Sequence, residues 1–122
     1  MKKLLIFSFL FLSTYLGNAQ NLKFRDQGSV TSFMEGKVYY NSGTKLEIEY
    51  GYISSYNTYG IKVKNNYGDR FYFINVEITP YGNYADLYGM NAESGSNFGF
   101  RVYRDKLIVG LGEAGEQTYY LK

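Results

Sequence analysis

Residues 45–65 read KLEIEYGYISSYNTYGIKVKN, and the order of side chains in this stretch decides the fold. Leu46, Ile48, Tyr50 and Tyr52 fall on one side of an extended chain, with Lys45, Glu47 and Glu49 on the other. After a short polar break, Tyr59, Ile61 and Val63 again alternate with Lys62 and Lys64. Side chains of a β-strand alternate with period two, so each segment reads as a strand with one buried face. The pairing that sets Tyr50 opposite Ile61 also sets Ile48 opposite Val63, Glu49 opposite Lys62 and Glu47 opposite Lys64. Each charged pair then contributes roughly 0.2–1 kcal/mol, and a one-residue slip would turn every apolar side chain outward. The stretch predicts an antiparallel hairpin in that register, with Ser54 to Asn57 as its loop.

The same signature extends in both directions. Short β-branched and aromatic segments alternate with clusters of Gly, Asn, Asp and Ser. Candidate strands are Ser29–Met34, Lys37–Asn41, Lys45–Ile53, Tyr59–Asn65, Arg70–Ile78, Tyr84–Met90, Phe98–Arg104, Lys106–Leu111 and Thr118–Leu121. Arg70–Ile78 is apolar on both faces, with Phe71 and Phe73 opposed to Tyr72, Ile74, Val76 and Ile78. It is either a central strand buried on two sides or a strand whose faces swap at a bulge near Asn75. Phe98, Phe100 and Val102 form one inward set, and Leu107, Val109 and Leu111 another. No window beyond residue 19 shows helical periodicity, and Gln20 to Gly28 reads as a polar, frayed lead-in.

Closely spaced strands with short turns pair as antiparallel neighbours. The expectation is one all-β domain over 29–122, an antiparallel meander of about eight or nine strands. It closes as a barrel or folds as a two-sheet sandwich. In general look it resembles small lipocalin-like or sandwich domains secreted by Gram-negative bacteria. That resemblance implies an architecture and no site. Five Tyr-Gly pairs, from Tyr50-Gly51 to Tyr88-Gly89, recur too irregularly for a repeat protein and fit bends at strand ends.

Residues 1–19 read as an export signal. Lys2 and Lys3 precede the mainly apolar run Leu4 to Leu16, and Gly17-Asn18-Ala19 supplies small residues at −3 and −1 of a cut before Gln20. A spanning helix needs about 20 apolar residues, more than this run supplies. With no cysteine to carry a lipid, the expected product is exported to the periplasm or beyond, and is not a lipoprotein. It has no transmembrane segment.

Composition narrows the chemistry. The chain holds 13 basic and 11 acidic residues, and the excess is Lys2 and Lys3, so the remainder is neutral. A neutral domain lacks the footprint of a nucleic-acid binder. With no cysteine there is no disulfide, so packing alone must hold the domain. The absence of histidine and cysteine removes Ser-His and Cys-His nucleophiles and the usual zinc sites. A carboxylate pair survives as possible catalysis, yet Glu47 and Glu49 have lysine partners, and Asp69, Asp86, Glu93 and Asp105 sit in or near turns. No enzyme and no cofactor are expected. Asn65, Asn66 and Asp69 could suggest Ca²⁺ but do not match an EF-hand spacing, so they read as a turn.

Tyrosine is the distinctive residue, with 15 in the chain and no tryptophan. Tyr combines large contact area with a polar tip and serves both cores and recognition surfaces. The loop-borne candidates for contacting a ligand, glycan or envelope protein are Tyr56, Asn57, Tyr67, Tyr81, Asn83 and Tyr84. A binding module of this kind requires the tyrosines to converge on one patch or cavity mouth. The alternative is a structural protein of the envelope or matrix that associates through sheet edges, with weak self-association.

Overall fold

The computed structural model describes residues 23–122, so the expected export signal lies outside the described residues. The eight strands are β1 (Val38–Asn41), β2 (Leu46–Ile53), β3 (Thr58–Lys64), β4 (Arg70–Pro80), β5 (Ala85–Asn91), β6 (Asn97–Val102), β7 (Lys106–Val109) and β8 (Gln117–Leu121). Each pairs antiparallel with the next, and β8 returns to β1 through Tyr39–Leu121 and Tyr40–Tyr120, closing a barrel in simple chain order. The sandwich alternative is therefore not adopted.

The hairpin at 45–65 has the expected register. Tyr50 lies opposite Ile61, Ile48 opposite Val63, Glu49 opposite Lys62 and Glu47 opposite Lys64. Ile53 faces Thr58, so Ser54 to Asn57 is the loop. The outer-face ions rearrange slightly: Lys62 Nζ stands 3.7 Å from Glu49, whereas the carboxylate of Glu47 is taken by Lys122. That bond to Lys122 is the main reason the Glu47 carboxyl is held below its ordinary range.

β4 resolves its two-faced pattern with a bulge. Its register with β5 shifts between Ile74 and Glu77, and Asn75 takes a left-handed φ of 51°. One extra residue swaps the faces. Phe71 and Phe73 point inward before the bulge, and Val76 and Ile78 reach the core after it. Asn tolerates this conformation better than a β-branched neighbour could.

The segment 29–34 is not a strand but part of a helix, α1 (Gln27–Met34). Asp26 caps it: its Oδ1 accepts from Ser29 N at 2.7 Å, and Ser29 Oγ accepts from Asp26 N at 3.2 Å. This reciprocal box satisfies two donors that a helix start leaves orphaned. Val30, Phe33 and Met34 then share one helical face at spacing i, i+3, i+4. Val30 and Met34 are buried, and Phe33 packs on the core. In two turns this stripe looks much like alternation, which is why the pattern reads as a strand. The lead-in is tied down as well. Phe24 exchanges backbone hydrogen bonds with Gly82 at 2.8 and 3.1 Å, and its buried ring meets Phe33 edge-on at 5.2 Å.

Because successive strands reverse direction, the connections alternate between the barrel's ends. The β2–β3, β4–β5 and β6–β7 loops share one end with α1, which plugs it; we call this end the base. The β1–β2, β3–β4, β5–β6 and β7–β8 connections ring the other end, the mouth.

Candidate functional site

The mouth opens into a cavity of about 310 Å³. Its walls are Leu46 and Ile48 of β2, Val63 of β3, Phe71 and Phe73 of β4, Phe98 and Phe100 of β6, Val109 of β7 and Tyr119 of β8. Asn91, Ser96 and Gln117 add neutral polar groups. The four phenylalanines form one connected wall. Phe73 stacks on Phe98 at 5.4 Å and meets Phe100 edge-on at 5.4 Å and Phe71 at 6.2 Å. Among the described residues no Asp, Glu, Lys or Arg lines the cavity. Its volume falls at the lower end of small-ligand sites, and an apolar lining with a few polar groups is their usual composition.

Three of the four mouth turns are built alike. Asn41, Asn65 and Asn91 each stand at or just after a strand end. Each turns its side-chain oxygen back onto the loop. Asn41 Oδ1 accepts from Gly43 N and Thr44 N, both at 2.9 Å. Asn65 Oδ1 accepts from Tyr67 N and Asp69 N, both at 2.9 Å. Asn91 Oδ1 accepts from Glu93 N at 2.9 Å and Ser94 N at 3.1 Å. These Asx turns satisfy loop backbone locally and hold the rim in shape without a covering element. Asn65 Nδ2 also donates to Asp69 Oδ2 at 3.1 Å, so Asn65–Asp69 is a hydrogen-bonded turn.

Two buried hydroxyls lie in this half of the barrel. Tyr119 OH is 2.8 Å from Thr44 Oγ1, while burial still pushes its pKa up. Tyr39, directly across from cavity-lining Ile48, is fully buried, and its hydroxyl has no hydrogen-bond partner among the described residues. Burial raises its pKa from 10 to about 12. The folded state thus favours the neutral phenol. That stability is complete below pH 10 and is lost as pH rises from 10 to 12, amounting to roughly 2–3 kcal/mol. The variant Tyr39→Phe removes both the unpaired hydroxyl and this dependence. At pH 7 it is expected to be at least as stable as the parent, since an unsatisfied buried group costs about 1–3 kcal/mol. Urea unfolding at pH 7 and across pH 10–12 checks both statements, and a destabilised variant at pH 7 would show that the hydroxyl is satisfied in solution.

The loop residues singled out by type do not form one site. Tyr67 is at the mouth, 84% exposed, and is not among the residues that line the cavity. Tyr56, Asn57, Tyr81, Asn83 and Tyr84 belong to base loops. Tyr56 leans on outward-facing Tyr72 at 5.8 Å, and Asn57, at φ 52°, accepts a hydrogen bond from Tyr52 OH, so both shape their hairpin tip. Tyr81 stacks on Tyr84 at 5.2 Å, and Tyr84 meets Tyr103 in a tilted contact at 5.7 Å. The Arg101 guanidinium lies 4.4 Å over Tyr84 and grips buried Asp86 through bonds of 2.7 and 3.0 Å. Asn83 borders a shallow recess of about 260 Å³ with Lys23, Tyr103, Arg104 and Asp105. Thus Tyr81, Asn83 and Tyr84 come together, Tyr56 and Asn57 serve their own turn, and Tyr67 stands at the opposite pole.

Sequence reasoning missed Phe71, Phe98, Asn91 and Gln117 as cavity residues. The available signal was the asparagine at three alternate strand ends, Asn41, Asn65 and Asn91, which in a meander marks a single pole.

Among the described residues no group of three or more His, Cys, Asp or Glu is placed to hold a metal ion, and no helix is long and apolar enough to cross a membrane. No family model, curated protein or solved structure matches the chain.

Proposed function

We propose that this domain is a non-catalytic binding module, exported to the periplasm or beyond, that holds a small apolar ligand in the mouth of its barrel. The observation that carries the reading is the uncharged cavity of about 310 Å³, walled by four phenylalanines and framed by Asn-anchored turns. A small ligand is favoured over a glycan or a protein, because the apolar concavity lies away from the Tyr-Asn loops. Burial of apolar ligand surface supplies about 25 cal/mol per Å², enough for a useful affinity if the site is preformed.

The structural alternative needs unpaired strand edges to template association. Pairing of β1 with β8 leaves the outermost strands without that opportunity and supports the binding reading.

The neutral fluorophore N-phenyl-1-naphthylamine tests the proposal. It is expected to brighten and saturate at one molecule per chain, and the variant Val109→Trp, which fills the mouth, is expected to weaken binding about tenfold or more. Absence of saturable binding, or equal binding by a folded Val109→Trp variant, would overturn the assignment.

A further inference from the structure

The neutral composition hides a division of charge between the poles. The four connections around the mouth carry Asp69, Glu93, Glu113 and Glu116 against a single cation, Lys45. None of these four carboxylates forms a salt bridge among the described residues. At the base, Lys23, Arg25, Lys37 and Arg104 stand against Asp26, Glu35 and Asp105, and Lys122 is paired with Glu47. Lys64 and Arg70, exposed on the last pair of β3 and β4, flank Asp69 at the same end, so the negative field comes from the β5–β6 and β7–β8 connections, where Glu93, Glu113 and Glu116 have no cation beside them. Among the described residues the cavity offers no cation to receive a carboxylate, sulfate or phosphate.

The wall adds a shape preference. Phe71, Phe73, Phe98 and Phe100 present a continuous set of edges and faces, and aromatic rings pack on such a surface in offset-stacked or edge-on geometry. An apolar cavity of about 150 Å³ takes one benzene, so the mouth suits a body of about two fused rings. At the polar side, Asn91 has its side-chain oxygen committed to Glu93 and Ser94, which leaves its amide N–H groups to donate. Gln117 is exposed at the same rim.

From these observations we infer the ligand class: a flat, two-ring aromatic or similarly compact ring compound, uncharged where it is buried and neutral or cationic at its outer end. The barrel discriminates against anionic amphiphiles such as fatty acids. The inference rests on the binding reading above and deepens it. The phenylalanine wall selects the ring, and the acidic rim selects the charge. The rim acts at a distance on the order of a screening length, so its contribution must fade with salt.

Displacement of N-phenyl-1-naphthylamine from the purified protein at pH 7 tests the class with four competitors. These are 2-(aminomethyl)naphthalene, 2-naphthol, 2-naphthoate and decan-1-ol. At low ionic strength the amine and the naphthol are expected to bind at least about fivefold more tightly than the naphthoate. The gap should shrink in 0.5 M salt, and in the double variant Glu93→Gln/Glu113→Gln, whose two exposed substitutions leave the cavity wall intact. Naphthol is expected to outcompete decanol. Equal affinity for naphthoate would overturn the charge selection, and stronger binding of decanol would overturn the ring selection; in both cases the cavity remains a binding site. Failure of both the fluorophore and, in direct titration, 2-naphthol to bind at all would overturn the site together with the ligand class.

Discussion

Replacing Gly60 by alanine is expected to cost about 3 kcal/mol of stability, at the upper end of what overpacking ordinarily does. Gly60 lies on β3 where the hairpin tip leans over β4. A Cβ there would stand 2.3 Å from the carbonyl oxygen of Phe73 and 2.9 Å from Ile53 Cδ1. The Ile53 side chain can rotate, but the carbonyl belongs to a backbone whose pairing with β3 begins at Ile61–Phe73. Relief therefore requires β3 and β4 to separate where the barrel wall also supports the cavity. Gly115 provides the control: nothing lies within 4 Å of its Cβ position, and its φ is ordinary. Gly115→Ala should be neutral or slightly stabilising, by up to about 1 kcal/mol. Urea unfolding of the two variants decides. Equal stabilities would mean that β3 and β4 do not approach as described.

The second large effect concerns the base. Val30→Asp is expected to cost about 4 kcal/mol or more, because it buries a carboxylate among apolar groups with no partner. Val30 is 0% exposed on the inner face of α1. A domain of this size has only about 5–15 kcal/mol in total, so the variant should be close to unfolding. Ser32→Asp should change stability by less than about 0.5 kcal/mol, since Ser32 is exposed on the outer side of the helix. The contrast is diagnostic. On an extended chain Val30, Ser32 and Met34 would share one face, and the two substitutions would do similar harm. Thermal unfolding showing Ser32→Asp as damaging as Val30→Asp would return residues 29–34 to a strand.

How much of this was legible depends on distance along the chain. The hairpin at 45–65 could be read to the residue because its partners are neighbours and one register alone satisfies both its apolar and its charged face. The bulge at Asn75 was visible as one of two readings, since apolar residues changed parity within a single strand. The helix escaped notice because eight residues hold little more than two turns. Its cap uses Ser29 where Glu or Gln would have been a clearer sign. Barrel closure rests on two residue pairs between β1 and β8, and the patterning of one buried face is the same in a barrel and a sandwich.

The site was less legible than the fold for a related reason. Tyrosines on loops were chosen by residue type, yet Tyr56 and Asn57 shape a turn, Tyr84 stacks under Arg101, and Tyr67 stands alone at the mouth. Phe71 and Phe98 read as ordinary core from their alternation. They become cavity wall only because α1 fills the base and nothing among the described residues fills the mouth. Which pole a residue belongs to follows from counting strand reversals, a non-local property. The same holds for charge: a neutral total said nothing about four carboxylates gathered at one end.

The most direct test of the central claim is a map of where a ring compound binds. Titration of the isotopically labelled protein with 2-naphthol, followed by amide and methyl chemical shifts, should give saturable changes at Leu46, Val63, Phe98 and Val109, while Tyr81, Tyr84 and Tyr103 stay silent. Saturable changes confined to those tyrosines, or no saturable change anywhere, would contradict a binding site in the barrel mouth.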